Sequence, residues 1–275
     1  MRIVNLVENT PGAPGCGWAH GLSFYVETAR HRLLMDTGPS DLLVANAKAL
    51  GIDLRRVDTV ILSHGHYDHS DGIPAFATLN PEARVYLRRG ADGAFYSSAG
   101  GAPRYIGMDP RIAGLDRLIW VDGELILDDE LSLFGSVTGR KAWPRGNRKL
   151  SRLVGNRHIQ DDFVHEQCLV VTDGGRRVLL SGCAHSGILN ILDRYRQIYG
   201  GAPDAVVSGF HMKQPEPYAE NEADLIRETA RALARWPGRF YTCHCTSLPA
   251  FELMKPILGD RLSYVHSGEE IDVNA

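Results

Sequence analysis

The chain has 275 residues, 44% hydrophobic and 23% charged, enough apolar material for one large domain or two small ones. A formal net charge of −3 provides no global attraction to nucleic acid or a membrane surface. No apolar run reaches membrane-spanning length, the N-terminus lacks a signal-like apolar core, and five unpatterned cysteines fit a reducing compartment, so a cytoplasmic location is expected.

Residues 2–7 alternate weakly as a strand, and residues 9–17 form a loop by their Gly and Pro content. Residues 22–27 and 31–35 predict a hairpin whose second strand ends in Asp36-Thr37-Gly38. Residues 41–50 have helical periodicity, with Gly51 as a natural stop. Next comes an aliphatic run, residues 57–62, long enough to be a buried strand.

That run ends in Ser63-His64-Gly65-His66-Tyr67-Asp68-His69, four possible metal ligands within six residues. Three imidazoles and a carboxylate suit zinc, which takes nitrogen and oxygen donors in compact polyhedra. Gly65 is expected to let the backbone turn tightly, so that His64 and His66 converge on one ion. Asp68 and His69 follow as the chain bends toward a helix, and would face a second ion. One histidine here would read as a solvated loop residue; four ligands directly after a buried strand read as a metal site.

Residues 84–87 predict a strand, and shorter strand signals occur at 118–121, 124–127 and 131–134. Residues 90–160 are otherwise rich in Gly, Pro and Arg. Every charged side chain from 140 to 157 is basic: Arg140, Lys141, Arg145, Arg148, Lys149, Arg152 and Arg157. Two readings stand: a solvated loop held open by self-repulsion, or an anion-attracting lid suited to a phosphate-bearing substrate.

Regular structure is expected again after residue 160. Residues 167–172 and 177–181 flank Asp173-Gly174-Gly175 as a hairpin, and the second strand runs into Gly182-Cys183-Ala184-His185. Residues 188–199 predict a helix, 205–207 a strand leading to His211, and 221–235 an amphipathic helix. Residues 239–242 predict the last core strand, ending in Cys243-His244-Cys245. Strand alternation would send His244 to one side and both cysteines to the other, favouring His244 alone as a ligand over a zinc knot. Asp36, His64, His185, His211 and His244 thus follow five strands, the placement an α/β scaffold gives a loop-built site.

Asp36-Thr37-Gly38, the His64 to His69 motif and the downstream histidines at strand ends resemble the metallo-β-lactamase fold superfamily. Trp18-Ala19-His20-Gly21, Glu166-Gln167, Gly182-Cys183-Ala184-His185-Ser186-Gly187, Gly209-Phe210-His211 and His244-Cys245-Thr246 narrow the likeness. They resemble the subfamily labelled 7,8-dihydropterin-6-methyl-4-(β-D-ribofuranosyl)aminobenzene-5′-phosphate synthase. The resemblance implies an α/β fold, a four-layer αβ/βα sandwich, as a single domain over residues 1–275 with 90–160 a substrate-side insertion or lid. It implies that His64, His66 and His185 hold one ion and Asp68, His69 and His244 another, with Asp36 bracing the motif loop. The superfamily usually supplies a bridging Asp at a later strand tip, and here that tip reads Gly209-Phe210-His211. Cys183 is then either a substitute thiolate ligand or a small buried residue.

His20 is read as lining the cleft or capping a turn, and His211 as a substrate-binding or proton-carrying group or a satisfied neighbour. His31, His158, His165 and His266 are read as surface or structural, with His165 a reserve ligand. The expected cofactor is zinc, one or two ions, with iron and manganese open. The expected activity is hydrolysis of a phosphate-bearing small molecule, since zinc lowers the pKa of water from about 15.7 to near 7. Asp68 would orient the nucleophile or take its proton, with His211 as a second proton carrier. The resemblance also implies an alternative, a synthase in pterin metabolism that releases pyrophosphate and carbon dioxide. Iron-dependent redox chemistry on the same fold is the third reading, disfavoured by His66, where such relatives carry Glu. A non-catalytic binding protein is the fourth, disfavoured by the intact ligand motif.

Overall fold

The computed structural model describes residues 1–273, so the last two residues of the expected domain lie outside it. Its architecture follows from alternation. Along Arg32–Met35, Leu33 and Met35 point to one apolar cluster and Leu34 to another; Val60 and Ile61 divide in the same way. In Gln167–Asp173 and Arg176–Leu180, Leu169, Val171, Val178 and Leu180 face that first cluster while Val170 and Leu179 face a third. Strands that are apolar on both faces must be covered on both, so two sheets pack face to face and each carries helices outside. The result is a four-layer αβ/βα sandwich.

One sheet runs, in spatial order, Glu270–Ile271, Arg2–Val7, Ser23–Glu27, Arg32–Met35, Thr59–Ile61, Arg84–Arg88 and Leu118–Val121. The other runs Leu125–Ile126, Leu131–Gly135, Gln167–Asp173, Arg176–Leu180, Ala205–Ser208, Arg239–Thr242 and Leu262–Tyr264. Read in these orders, each sheet has three antiparallel pairings followed by three parallel ones. The helices Leu42–Ala49 and Ile73–Leu79 cover the first sheet. Ile188–Tyr199, Glu220–Leu233 and Leu248–Leu258 cover the second.

Several expectations are corrected. The strand before the ligand motif is only Thr59–Ile61. Arg239–Thr242 is not the last core strand, because Leu262–Tyr264 pairs with it in parallel. Regular structure also begins before residue 160: Leu150–Val154 and Arg157–Gln160 form a hairpin in a third, four-stranded sheet with Phe95–Ser97 and Arg104–Tyr105. Phe95, Ile106, Leu150 and Phe163 give that sheet its own small core.

The basic stretch is not a self-repelling loop. Lys141 pairs with Asp193 at 2.7 Å, Arg145 with Glu222 at 3.3 Å and Arg152 with Asp162 at 3.0 Å, while Arg140 lies over the Trp143 ring. Carboxylates distant in sequence tie it down.

Candidate metal centre

All the parallel strands of a sheet point the same way, so their C-terminal ends deliver loops to one edge. At that edge the first sheet brings Asp36 and the His64 to His69 motif, and the second brings Cys183, His185, His211 and His244. His64, His69, His185 and His244 are each at most 1% exposed, and Asp68 is 7% exposed. The backbone there is strained: Asp36, Phe163, Ala184, His211 and His244 all have positive φ, between 50° and 61°. Non-glycine residues in the left-handed region persist only where surroundings over-determine them, and such strain gathers at functional sites. His244 therefore does not continue a strand. Cys243 turns into the inter-sheet core while Cys245 approaches Cys183, which corrects the expectation that the two cysteines share a side.

Gly65 is needed for a reason other than the one expected. Its φ is not positive; a Cβ there would sit 1.9 Å from the Ala91 carbonyl oxygen, so close backbone approach demands glycine.

The hydrogen bonds determine which ring nitrogens carry protons. Ser63 Oγ donates its single proton to Asp36 Oδ2 at 2.7 Å, so at 2.8 Å it must accept from His64 Nδ1. His69 Nδ1 donates to Asp36 Oδ2 at 2.7 Å. Asn147 Nδ2 donates to the His185 carbonyl at 2.7 Å, and its Oδ1 takes the His185 Nδ1 proton at 2.9 Å. Asn9 grips His244 in the same way, through the carbonyl at 3.2 Å and Nδ1 at 2.8 Å. In all four rings Nδ1 is committed outward and Nε2 faces inward. Such outer partners orient ligand histidines and raise their basicity.

Those inward nitrogens converge. His64 Nε2 lies 3.0 Å from His66 Nδ1 and 3.3 Å from His185 Nε2. Donors at about 2.0–2.1 Å on a tetrahedral zinc are about 3.3–3.4 Å apart, close to the spacing of His64 Nε2 from each of these neighbours; His64 and His185 also cluster with Cys183, and His66 with Asp161 and His165. The second group is looser and charged. Asp68 Oδ2 is 3.4 Å from His244 Nε2 and 3.8 Å from His69 Nε2, and the buried His244 Nε2 makes no hydrogen bond. A buried polar atom without a partner is costly, and a cation at this position would satisfy it. The residues fit a divalent metal.

Titration behaviour separates the groups. Burial and neighbouring imidazoles push His64 and His185 well below the ordinary histidine range, and burial holds His66 at about 3, so the first group is neutral. Burial also lowers His69, but Asp36 and Asp68 outweigh it and raise that imidazole to about 9. The second group thus attracts positive charge where the first supplies only lone pairs.

His20 lines the cleft: its Nε2 is 3.4 Å from Asp68 Oδ2 and its ring stacks on His244 at 5.2 Å. His211 packs against the His185 ring at 4.1 Å, and its buried Nδ1 has no partner. Asp36 is wholly buried and accepts from the Ser63 backbone at 2.7 Å as well. Cys183 Sγ lies 3.2 Å from His69 Nε2. His165 is not a surface residue: it is 1% exposed, accepts from the Gly65 backbone at 3.1 Å and contacts Asp161 at 3.2 Å. His31 sits at the opposite end of the strands, half-buried between Asp58 and Asp128.

Sequence reasoning missed Asn9, Asn147 and Phe163, and it quoted Glu166 only as part of the family likeness. Glu166 accepts from the His185 backbone at 2.6 Å and the Ser186 backbone at 2.9 Å, and Phe163 stacks flat on the His185 ring at 4.4 Å. Amides carry no charge pattern, and Asn147 is hidden among basic residues. Glu166 offered a signal, an acidic residue directly before a buried strand.

Over both groups opens a cavity of about 430 Å³. Its floor includes His66, Asp68, Cys183, His185 and His244; Tyr67, Ile106 and Leu150 wall it, and Arg104, Lys149 and Lys213 stand around it.

Residues 16–146 match the sequence profile of the metallo-beta-lactamase superfamily. The solved structure described as Tm1679, a metal-dependent hydrolase of the beta-lactamase superfamily, superposes with a TM-score of 0.82 at 28% identity, covering 99% of this chain and 98% of that one. These matches give the chain the metallo-β-lactamase fold. The chain is 26% identical to the 7,8-dihydropterin-6-methyl-4-(beta-D-ribofuranosyl)-aminobenzene-5′-phosphate synthase of Methanocaldococcus jannaschii, over 98% of this chain and 96% of that protein. Zinc-bound PqqB from Methylobacterium extorquens shares the fold at a TM-score of 0.61 and 14% identity. Metallo-β-lactamase fold proteins bind metal ions, and the clustered donors here are of that kind. Among the described residues no helix is long and apolar enough to cross a membrane.

Proposed function

We propose that the chain is a metal-dependent hydrolase of phosphate-bearing small molecules, with zinc held by His64, His66 and His185 and by Asp68, His69 and His244. The observation that carries this reading is the trio Arg104, Lys149 and Lys213. All three are exposed at the cavity above the candidate ligands, and among the described residues none makes an ion pair. Three of the six other cations of the basic stretch are paired with carboxylates. Unpaired cations around a concave site attract and orient an anion, and phosphate accepts from both guanidinium and ammonium.

A divalent ion in the centre supplies Lewis acidity and acidifies water. The chain's own groups do the rest. Asp68 accepts a proton or orients a nucleophile, and it stays ionised: burial opposes this, but His69, His244 and His20 hold its carboxyl well below the usual range. Burial holds His20 at about 4, so it is neutral at pH 7 and can accept a proton at the cavity edge. His211, with a free Nδ1 beside the His185 ring, is placed to hand a proton to a leaving group. Tyr67, Ile106 and Leu150 give the site an apolar wall that restricts water.

The test is a screen of zinc-loaded protein against phosphomonoesters, phosphodiesters, lactones and thioesters. Turnover of phosphate-bearing substrates is expected, with KM raised and kcat little changed in Lys149→Ala. Zinc-replete protein inert toward every ester class would sink the hydrolase reading.

A second reading has its own support. The M. jannaschii relative, matched over nearly the full length of both chains, is named for a 5′-phosphate product of pterin type. A synthase of that kind would use the same cations for its phosphate, and product analysis with pterin and ribosyl-phosphate substrates separates the two.

A further inference from the structure

Each candidate ligand group has three side chains and shares none of them with the other. Two dications held this way would face only one carboxylate ligand, Asp68, with the remaining donors neutral imidazoles. The residue between the groups is Cys183. Its Sγ lies within 4.8 Å of a ring nitrogen of both His64 and His185, and equally of His69 and His244. The contact to His69 Nε2 is 3.2 Å. Among the described residues no other side chain joins donors of the two groups in this way.

The thiol is 3% exposed and its position is built. A Cβ on Gly182 would meet Ser63 Oγ at 2.1 Å, and one on Gly209 would meet Cys245 Sγ at 2.5 Å. Side chains at these two strand tips are therefore sterically excluded; Ser63 and Asp36 occupy the space beside Gly182, and Cys245 Sγ that beside Gly209. A second observation points to a ligand: His244 Nε2, buried and without a hydrogen-bond partner, faces the same point.

We propose that Cys183 is a shared ligand, its thiolate bridging the two metal ions and supplying the second negative charge of a dinuclear centre. Coordination breaks the S–H bond, both electrons stay on sulfur, the proton leaves to solvent, and two S–metal bonds form. No oxidant or reductant is consumed, because a coordinating thiol is simply deprotonated. Cys245 stands behind: its Sγ accepts from the His211 backbone N–H at 3.3 Å and reaches the Cys183 carbonyl oxygen at 3.5 Å, which ties the loop carrying His244 to those carrying His211 and Cys183. The inference rests on the metal-centre reading above.

The test loads the full chain with cobalt(II) and records metal per chain together with the near-ultraviolet spectrum, where thiolate-to-cobalt charge transfer absorbs. The wild type is expected to bind two cobalt ions and show the band. Cys243→Ser should keep it, because the Cys243 thiol lies in the core between the sheets. Cys183→Ser should lose the band and one ion per chain, and Cys183→Asp should regain the second ion without the band. Zinc-edge X-ray absorption on unsubstituted protein gives a readout free of folding defects, with a sulfur neighbour expected at about 2.3 Å. Two ions bound with nitrogen and oxygen neighbours alone, or a band that survives Cys183→Ser, would overturn the thiolate bridge and leave the metal centre standing. Wild type that binds no metal would overturn both.

Discussion

Two clusters of histidine and carboxylate cap opposite ends of the same parallel strands, and their difference shows what separates a candidate metal centre from an ordinary polar contact. At the N-terminal ends, His31 precedes Arg32–Met35 and Asp58 precedes Thr59–Ile61. His31 Nδ1 meets Asp58 at 3.0 Å and Nε2 meets Asp128 at 2.6 Å, so both ring nitrogens are satisfied by their neighbours. At the C-terminal ends the imidazoles are satisfied on one side only. Their Nδ1 protons go to Ser63, Asp36, Asn147 and Asn9, and the opposite nitrogens face one another in a buried space. Residue types are the same at both ends. Only the front cluster turns one nitrogen of each ring toward other donors in a buried space.

The largest effect should come from breaking that convergence. His64→Ala or His185→Ala is expected to lose zinc from the first group altogether, whereas His31→Ala should keep full metal content by elemental analysis. Zinc fully retained in both front variants would erase the distinction drawn here.

Asp36→Ala should cost about 3–5 kcal/mol in urea unfolding, since it strands buried donors on Ser63 and His69. Asn147→Ala and Asn9→Ala release one ring each and should weaken zinc about 10–100-fold in chelator competition. Equal affinity in wild type and both variants would show that the amides merely fill space. Lys149→Ala or Arg104→Ala should raise KM for a phosphorylated substrate by about tenfold, an effect that added salt diminishes.

The smallest effect lies at the rear cluster. Burial lowers His31, but its bonds to Asp58 and Asp128 prevail and raise it. A raised histidine contributes stability that is fully present below its unfolded value of about 6.5 and is lost as pH rises through the folded value. The stability gap between wild type and His31→Ala should therefore be at most about 1 kcal/mol, widest below that pH and shrinking above it. A gap that grows with pH would reverse the assignment.

Much of the fold was legible in the chain. The core hairpins, the helix Ile188–Tyr199 and the sheet strands up to Arg239–Thr242 follow from periodicity and turn residues, which are local properties; the short strands Leu262–Tyr264 and Glu270–Ile271 were not read. The hairpin Leu150–Val154 with Arg157–Gln160 was not legible, because its strands are largely exposed or half-buried and lack the alternation that marks a core strand. In the site, the His64 to His69 motif declared itself because its donors are adjacent in sequence. Asn9 and Asn147 did not, because an amide becomes a ligand-orienting group only when folding brings it to a particular ring, 235 residues away for Asn9 and His244.

By itself, then, the sequence determined an α/β pattern and the candidate donors of the His64 to His69 motif, since spacing and side-chain chemistry are local quantities, while the layered sandwich came from the family resemblance. Tertiary structure alone decided which nitrogens point inward, that Cys183 lies between the two groups, and that Arg104, Lys149 and Lys213 meet around one cavity. Those facts depend on how two sheets pack and where their strand ends meet, and no local spacing along the chain encodes them.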